Sequence, residues 1–132
     1  MRLTKECVDV MFDTLDKREK LIMKLIGEMQ ILSKTDVEDF LYSSYKNEVE
    51  KRNINISTSL IAKSLIRLEA KLLVDVKEEG LKRERFLTEE GKYAYNKNNL
   101  GLKIDGDIHG AWFKGTLKHY LIKVLTKLIF LH

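Results

Sequence analysis

Proline is absent from this 132-residue chain. No helix therefore meets a residue that lacks a backbone donor and clashes with the preceding turn, and long helices are allowed throughout. Cysteine occurs once, at Cys7, which excludes an internal disulfide and fits a reducing, cytoplasmic compartment. The simplest role for that thiol is as a small buried hydrophobe. No uncharged apolar run of about eighteen residues exists, so no membrane-spanning helix is expected, and Met1-Arg2-Leu3-Thr4-Lys5-Glu6 has no apolar core of a secretory signal. A phosphate-cradling glycine loop, a nucleophile–base pair and a Cys/His cluster are also missing. An enzyme is not expected, and no cofactor is implied.

What the chain does contain is charge and aliphatic side chains, 33% and 44% of the residues. That balance describes a charge-rich globular protein, and the length suits a single domain over 1–132. The net charge of +4 equals the four lysines of residues 108–132, where no acid stands. Residues 57–73 are the other locally basic stretch, with Lys63, Arg67 and Lys71 against Glu69. Net charge alone is thus a weak argument for nucleic acid.

The most informative segment runs from Ile56 to Asn96. Ser57 or Thr58 caps a helix in which Ile61, Leu65, Leu68 and Leu72 fall on one face. Ser59, Ala62, Lys63, Ile66, Arg67 and Ala70 fall on the other. A strand through Leu73, Val74 and Val76 follows, then a turn at Glu78-Glu79-Gly80, then a strand over 83–88. In that strand Arg83 and Arg85 share one side of the pleat, and Glu84 and Phe86 the other. Thr88 opens a short helix, Glu89 to Lys97, with Tyr93 and Ala94 or Tyr95 packing inward.

STSLIAKSLIRLEAKLLV followed by FLTEEGKYAYN resembles the recognition helix, wing and return helix of winged-helix DNA-binding regulators such as the MarR and PadR families. The length of the preceding helix is also similar to winged-helix domains of archaeal replication-initiation proteins. The resemblance covers about half of the chain. It implies a mainly α fold with a small β-hairpin wing (α+β), a winged helix-turn-helix with added N- and C-terminal dimerisation helices. It also implies contact with double-stranded DNA through a homodimer.

Upstream, Leu3, Cys7, Val8, Met11, Phe12 and Leu15 repeat at helical spacing. Asp16 and Glu19 form a capping arrangement that either divides residues 3–30 into two helices or lies within one. The winged-helix core is expected over 17–97. Ile31 to Lys34 is a connector or a short edge strand. Thr35 and Glu38 form a second capping box for a helix running to about Arg52, with Val37, Phe40, Leu41, Tyr45 and Val49 buried, and Asn53-Ile54-Asn55 turns into the central helix. Downstream, 98–110 is a linker or small hairpin, and 111–132 a C-terminal dimerisation helix. There Phe113, Leu117, Tyr120, Leu121, Val124 and Leu128 form an apolar arc wider than one small domain would cover, most simply an interface with a second copy.

The expected DNA-binding set is Ser57, Thr58 and Ser59 near phosphates, Lys63, Arg67 and Lys71 on the helix, and Lys82, Arg83 and Arg85 on the wing. The bland alternatives are a solvated helix face and, for the wing, local pairing with Glu78, Glu79 and Glu84. Asp105, Asp107 and His109 alternate, which in an extended segment puts all three on one side as for a metal, but nothing nearby completes a site, and a solvated turn is the simpler account. His119 and His132 have no evident partner, and Tyr42, Tyr45, Tyr93, Tyr95 and Tyr120 suit the edges of a core. The expected function is sequence-specific DNA binding by a homodimeric transcriptional regulator. The alternatives are a winged-helix interaction module of a larger assembly docked through the C-terminal helix, or that helix lying on an anionic membrane. A small-molecule effector is conceivable, but the sequence does not indicate one.

Overall fold

The break after the first helix is decided by Asp16. In the computed structural model, which describes residues 1–98 and Leu100, α1 spans Lys5–Asp13 and α2 spans Lys17–Met29. Asp16 Oδ1 accepts from the Glu19 amide at 2.8 Å, and Glu19 Oε1 accepts from the Asp16 amide at 3.4 Å. Two donors of the first turn are thereby satisfied reciprocally, and the chain cannot continue as one helix. The expectations for residues 101–132, including the dimer arc from Phe113 to Leu128 and the triplet Asp105, Asp107 and His109, lie outside the described residues.

Beyond α2, Leu32–Ser33 forms β1, and α3 follows over Lys34–Tyr42. Its cap is Ser33, which forms a capping box with Asp36. The expected box at Thr35 and Glu38 is corrected by two residues. Leu32 is fixed by pairing with Arg85, so the chain must turn at Ser33, and Glu38 instead pairs with Lys34 one turn back at 3.5 Å. The helix expected to reach Arg52 is also divided, into α3 and α4 (Lys46–Lys51). Ser43 Oγ donates to the Asp39 carbonyl at 2.6 Å, a local bond that competes with the helical ladder. Tyr45, 3% exposed, is drawn inward, where its hydroxyl donates to Glu28 at 2.5 Å.

α5 spans Thr58–Ala70, with Ser57 Oγ accepting from the Leu60 amide at 3.2 Å. Ile61, Leu65 and Leu68 are fully buried, and Ser64 joins them. Leu72, expected as the fourth member of that stripe, instead lies past the helix end with φ +61. It occupies the left-handed position of a Schellman motif. The Leu73 amide donates to the Leu68 carbonyl at 3.1 Å, and the Leu72 amide to that of Glu69 at 3.0 Å. Asn53 (φ 53) ends α4 in the same way, with the Ile54 amide on the Val49 carbonyl at 2.9 Å.

The hairpin pairs β2 (Val74–Glu79) with β3 (Lys82–Leu87), and the three strands order as β1-β3-β2, all antiparallel. Both strands are shifted by one or two residues from the expected positions, because the turn is the tight pair Gly80-Leu81. α6, Glu89–Lys97, begins at Thr88 as expected, with the Gly91 amide donating to Thr88 Oγ1 at 3.0 Å. The Thr88 hydroxyl in turn donates to the Leu72 carbonyl, tying α6 to the end of α5. Gly91 is required here, since a Cβ would lie 2.0 Å from the Leu73 carbonyl oxygen.

Among the described residues the fold is therefore mainly helical, six helices with a small three-stranded antiparallel sheet. Ile22, Leu25, Ile26, Leu32, Leu41, Ile61, Leu65, Leu68 and Leu73 form its fully buried centre. Cys7, expected to be buried, is exposed on α1. Val8 and Phe12 take the inward positions of that helix, leaving Cys7 beside the seam. No helix of the described residues is long and apolar enough to cross a membrane.

Candidate nucleic-acid interface

Helix α5 with its caps Ser57 and Lys71, and the β2–β3 hairpin, carry all nine residues expected to meet DNA. The helix divides its side chains by spacing alone. Ile61, Ser64, Leu65 and Leu68 face the core, leaving Ser59, Lys63, Ile66, Arg67 and Ala70 exposed. Ser57 is committed to capping, and its hydroxyl also lies 3.3 Å from that of Ser59. Thr58 is exposed on the first turn, where backbone amides without helical partners point outward.

The basic residues then separate into two groups. Lys63 is exposed and forms no ion pair among the described residues. Arg67 is also exposed, but its guanidinium lies 3.7 Å from Glu19 and 4.0 Å from Asp16. Lys71 is half-buried, donating to Thr14 Oγ1 at 3.1 Å and lying 3.8 Å from Glu19. On the hairpin, Arg83 pairs with Glu78 at 3.1 Å and Lys77 with Glu79 at 3.2 Å, while Lys82 is exposed and unpaired among the described residues. Arg85 is buried, its Nε donating to Glu69 on α5 at 3.2 Å.

That placement changes the role of Arg85. Arg83 and Arg85 do share one side of the pleat, but near the sheet's root this is the core-facing side, where Leu87 is also buried. Arg85 pins the hairpin to α5 and is not available to a phosphate. Arg83 reaches solvent because it lies beyond the body, and its partner Glu78 is equally exposed, a pair that contributes little in water.

The acidic residues under α5 form a group that their spacing in the sequence does not mark. Glu19 is 1% exposed, and its Oε2 accepts no hydrogen bond, with only the longer contact to Lys71. Burial, followed by the neighbouring charge of Asp16, holds its carboxyl above the ordinary carboxylate range. Arg18 completes the cluster, donating to Ser64 Oγ at 2.8 Å and to the Asn55 carbonyl at 3.0 Å, and approaching Asp16 at 3.6 Å. The available sequence signal was Ser64, a polar residue on the apolar face of α5 that needs a buried partner. At the other end of α2, burial raises the Glu28 carboxyl to about 7, against the Tyr45 hydrogen bond and the charge of Lys24.

No protein-family model matches this chain, and no curated protein matches it either. The site offers one free lysine and a short apolar and hydroxyl surface on α5, a second free lysine on a projecting hairpin, and two further cations held against acids of α2. Among the described residues no group of three or more His, Cys, Asp or Glu side chains is placed to hold a metal ion. An open cleft of about 350 Å³ lies between α2, β3 and α6, lined by Gly27, Gln30, Phe86, Lys92, Tyr95 and Asn96 among others.

Proposed function

We propose that the protein is a winged helix-turn-helix, sequence-specific binder of double-stranded DNA that acts in the cytoplasm as a homodimeric transcriptional regulator. α3 to α5 serve as the helix-turn-helix, α5 enters the major groove, and β2–β3 is the wing. The observation that carries this reading is the outward row Ser59, Lys63, Ile66 and Arg67 on α5, a helix followed at once by a hairpin that projects from the body. Lys63 meets a base edge or phosphate, Ile66 a thymine methyl, and the first turn of α5 a phosphate. The second copy is recruited through the apolar arc Phe113, Leu117, Tyr120, Leu121, Val124 and Leu128, which sets two half-sites about 34 Å apart on a palindrome.

The test is fluorescence anisotropy against a duplex enriched from a random pool, at two salt concentrations. Lys63→Ala combined with Arg67→Ala abolishes specific binding while the thermal melt stays cooperative. Unchanged affinity in the folded double variant sinks the proposal.

One observation favours a second reading, a winged-helix interaction module of a larger assembly. Four of the six expected cations, Arg67, Lys71, Arg83 and Arg85, face carboxylates of the same chain, and Ile66 is 63% exposed beside Arg67. A monomer in light scattering that fails to retain any duplex at low salt selects this reading.

A further inference from the structure

We propose that the open edge of β2 is a docking site for an extended, basic segment of a partner protein, which joins the sheet as an added strand. The proposal stands apart from the DNA-binding reading and does not require it. With the order β1-β3-β2, β2 is paired on one side only among the described residues. The Leu73 carbonyl accepts from the Thr88 amide at 3.2 Å, and bonded pairs alternate along an antiparallel ladder, so Asp75, Lys77 and Glu79 turn their backbone groups toward β3. Val74, Val76 and Glu78 turn theirs to the open edge.

That edge borders a cleft of about 540 Å³, which Val74, Asp75 and Val76 all line. Successive strand residues point to opposite faces of a sheet, so three in a row share one cleft only along the strand's edge. The other walls are the end of α5, through Glu69, and the start of α6, through Glu89 and Glu90. The volume is that of a cleft that takes a ligand and not a single water.

Charge selects the occupant. Four carboxylates line the cleft, Glu69, Asp75, Glu89 and Glu90, against the Arg2 side chain and the Met1 ammonium. The ammonium takes Glu89 at 2.9 Å, and Arg85 takes Glu69 from within the fold at 3.2 Å. Asp75 and Glu90 accept from backbone amides, of Val76 at 2.8 Å and of Arg2 at 3.2 Å, and neither forms an ion pair among the described residues. Glu90 is 5% exposed. A buried carboxylate without a paired cation is costly, and a lysine or arginine brought into the cleft supplies one. The same groups repel nucleic acid and acidic strands.

Asp75 makes the edge selective. Its Oδ1 holds the Val76 amide, a donor that an added strand needs. A neutral strand displaces that carboxylate for an equivalent bond, with little net gain. A basic side chain draws the carboxylate into a charge-assisted pair while the freed amide donates to the strand. Main-chain bonds then give the affinity, and the basic side chains the specificity.

The experiment uses the full chain and a fluorescein-labelled peptide of alternating lysine and valine, read by anisotropy near physiological ionic strength and by amide exchange. Wild type binds it at least about tenfold more tightly than a glutamate–valine counterpart, and the Val74 and Val76 amides exchange more slowly in the complex. Methylating the peptide's backbone nitrogens, which keeps every charge, weakens binding by at least about tenfold. Asp75→Asn and Glu90→Gln each weaken it about twofold to fivefold. Val76→Pro removes the outward amide without breaking a bond to β3 and abolishes binding. Should that variant fail to fold, the methylated peptide decides the same point. Equal binding of the methylated peptide overturns strand addition, since charge alone then suffices. Equal binding of the glutamate–valine peptide, protection that falls on α5 instead of β2, or no binding even at low salt overturns the proposal outright. None of these results bears on whether α5 binds DNA.

Discussion

The two ends of α2 bury the same residue with different consequences. Glu19, at the N-terminal end, lies under α5 and faces Arg67 and Lys71. Glu28, at the C-terminal end, lies under the α3–α4 junction and receives the Tyr45 hydroxyl. Each keeps one buried oxygen without a hydrogen-bond donor, Oε2 of Glu19 and Oε1 of Glu28. The difference lies in the partner. Two cations compensate the Glu19 charge and are themselves held in place by it, whereas a neutral phenol with one partly buried lysine leaves Glu28 titrating near neutrality. Both carboxyls are held above the ordinary range, so both weaken the fold as pH rises, but Glu19 also organises the candidate interface whereas Glu28 serves the fold alone.

The largest test of that contrast is the pH dependence of unfolding. The Glu28 pKa is raised from 4.5 to about 7 in the folded state, so the neutral acid is favoured there. Its contribution is fully present below about pH 4.5 and is lost as pH rises through about 7. Urea denaturation between pH 5 and pH 8 should show this loss, at most about 3 kcal/mol, and Glu28→Gln should flatten it and be the more stable form at pH 8. A wild-type stability that rises over this range removes the distinction between the two ends.

Tyr45→Phe sharpens the same contrast. Deleting the hydroxyl removes the donor to Glu28, and the cost is about 2 kcal/mol at pH 8, where the acceptor is charged, and about 1 kcal/mol at pH 5. Equal costs at the two pH values would mean that Glu28 does not titrate between them.

At the other end, Glu19→Gln preserves the capping box, since glutamine serves at that position as glutamate does. It should change stability by less than about 1 kcal/mol. On the DNA-binding proposal it also frees Arg67 and Lys71, raises duplex affinity and steepens the salt dependence by about one unit in log–log slope. An unaltered slope places those cations outside the interface. Smallest of all, Lys63→Ala and Lys82→Ala should leave stability within about 0.5 kcal/mol, because neither side chain has an ion-pair partner among the described residues. A larger loss in either would show that it serves the fold.

Local signals were the legible part of this protein. α6 was read to the residue because Thr88 caps it and asparagines close it, and the Asp16–Glu19 box marked the start of α2. The core face of α5 followed from spacing up to Leu68 and failed at Leu72, where a Schellman turn places a non-glycine residue at positive φ. The choice between Ser33 and Thr35 as the α3 cap was not local, since both precede an acid by three residues. Pairing of Leu32 with Arg85, fifty-three positions away, decides it. The same distance hid the site's electrostatics. Helical spacing placed Arg67 on the outer face of α5, but not Asp16 and Glu19 beside it, and alternation placed Arg85 with Arg83 without saying that their shared side turns inward at the root.

The strand order has a consequence for how copies of this chain meet. With β3 in the middle, β2 has a hydrogen-bonded neighbour on one side only among the described residues, and its other edge offers a row of backbone donors and acceptors. An open edge of that length invites a strand from another molecule and, repeated, a fibre. Asp75, Lys77, Glu78 and Glu79 occupy four of its six positions, and a strand added there would have to align against their charges. The hairpin can therefore be held out to a partner without becoming a template for polymerisation.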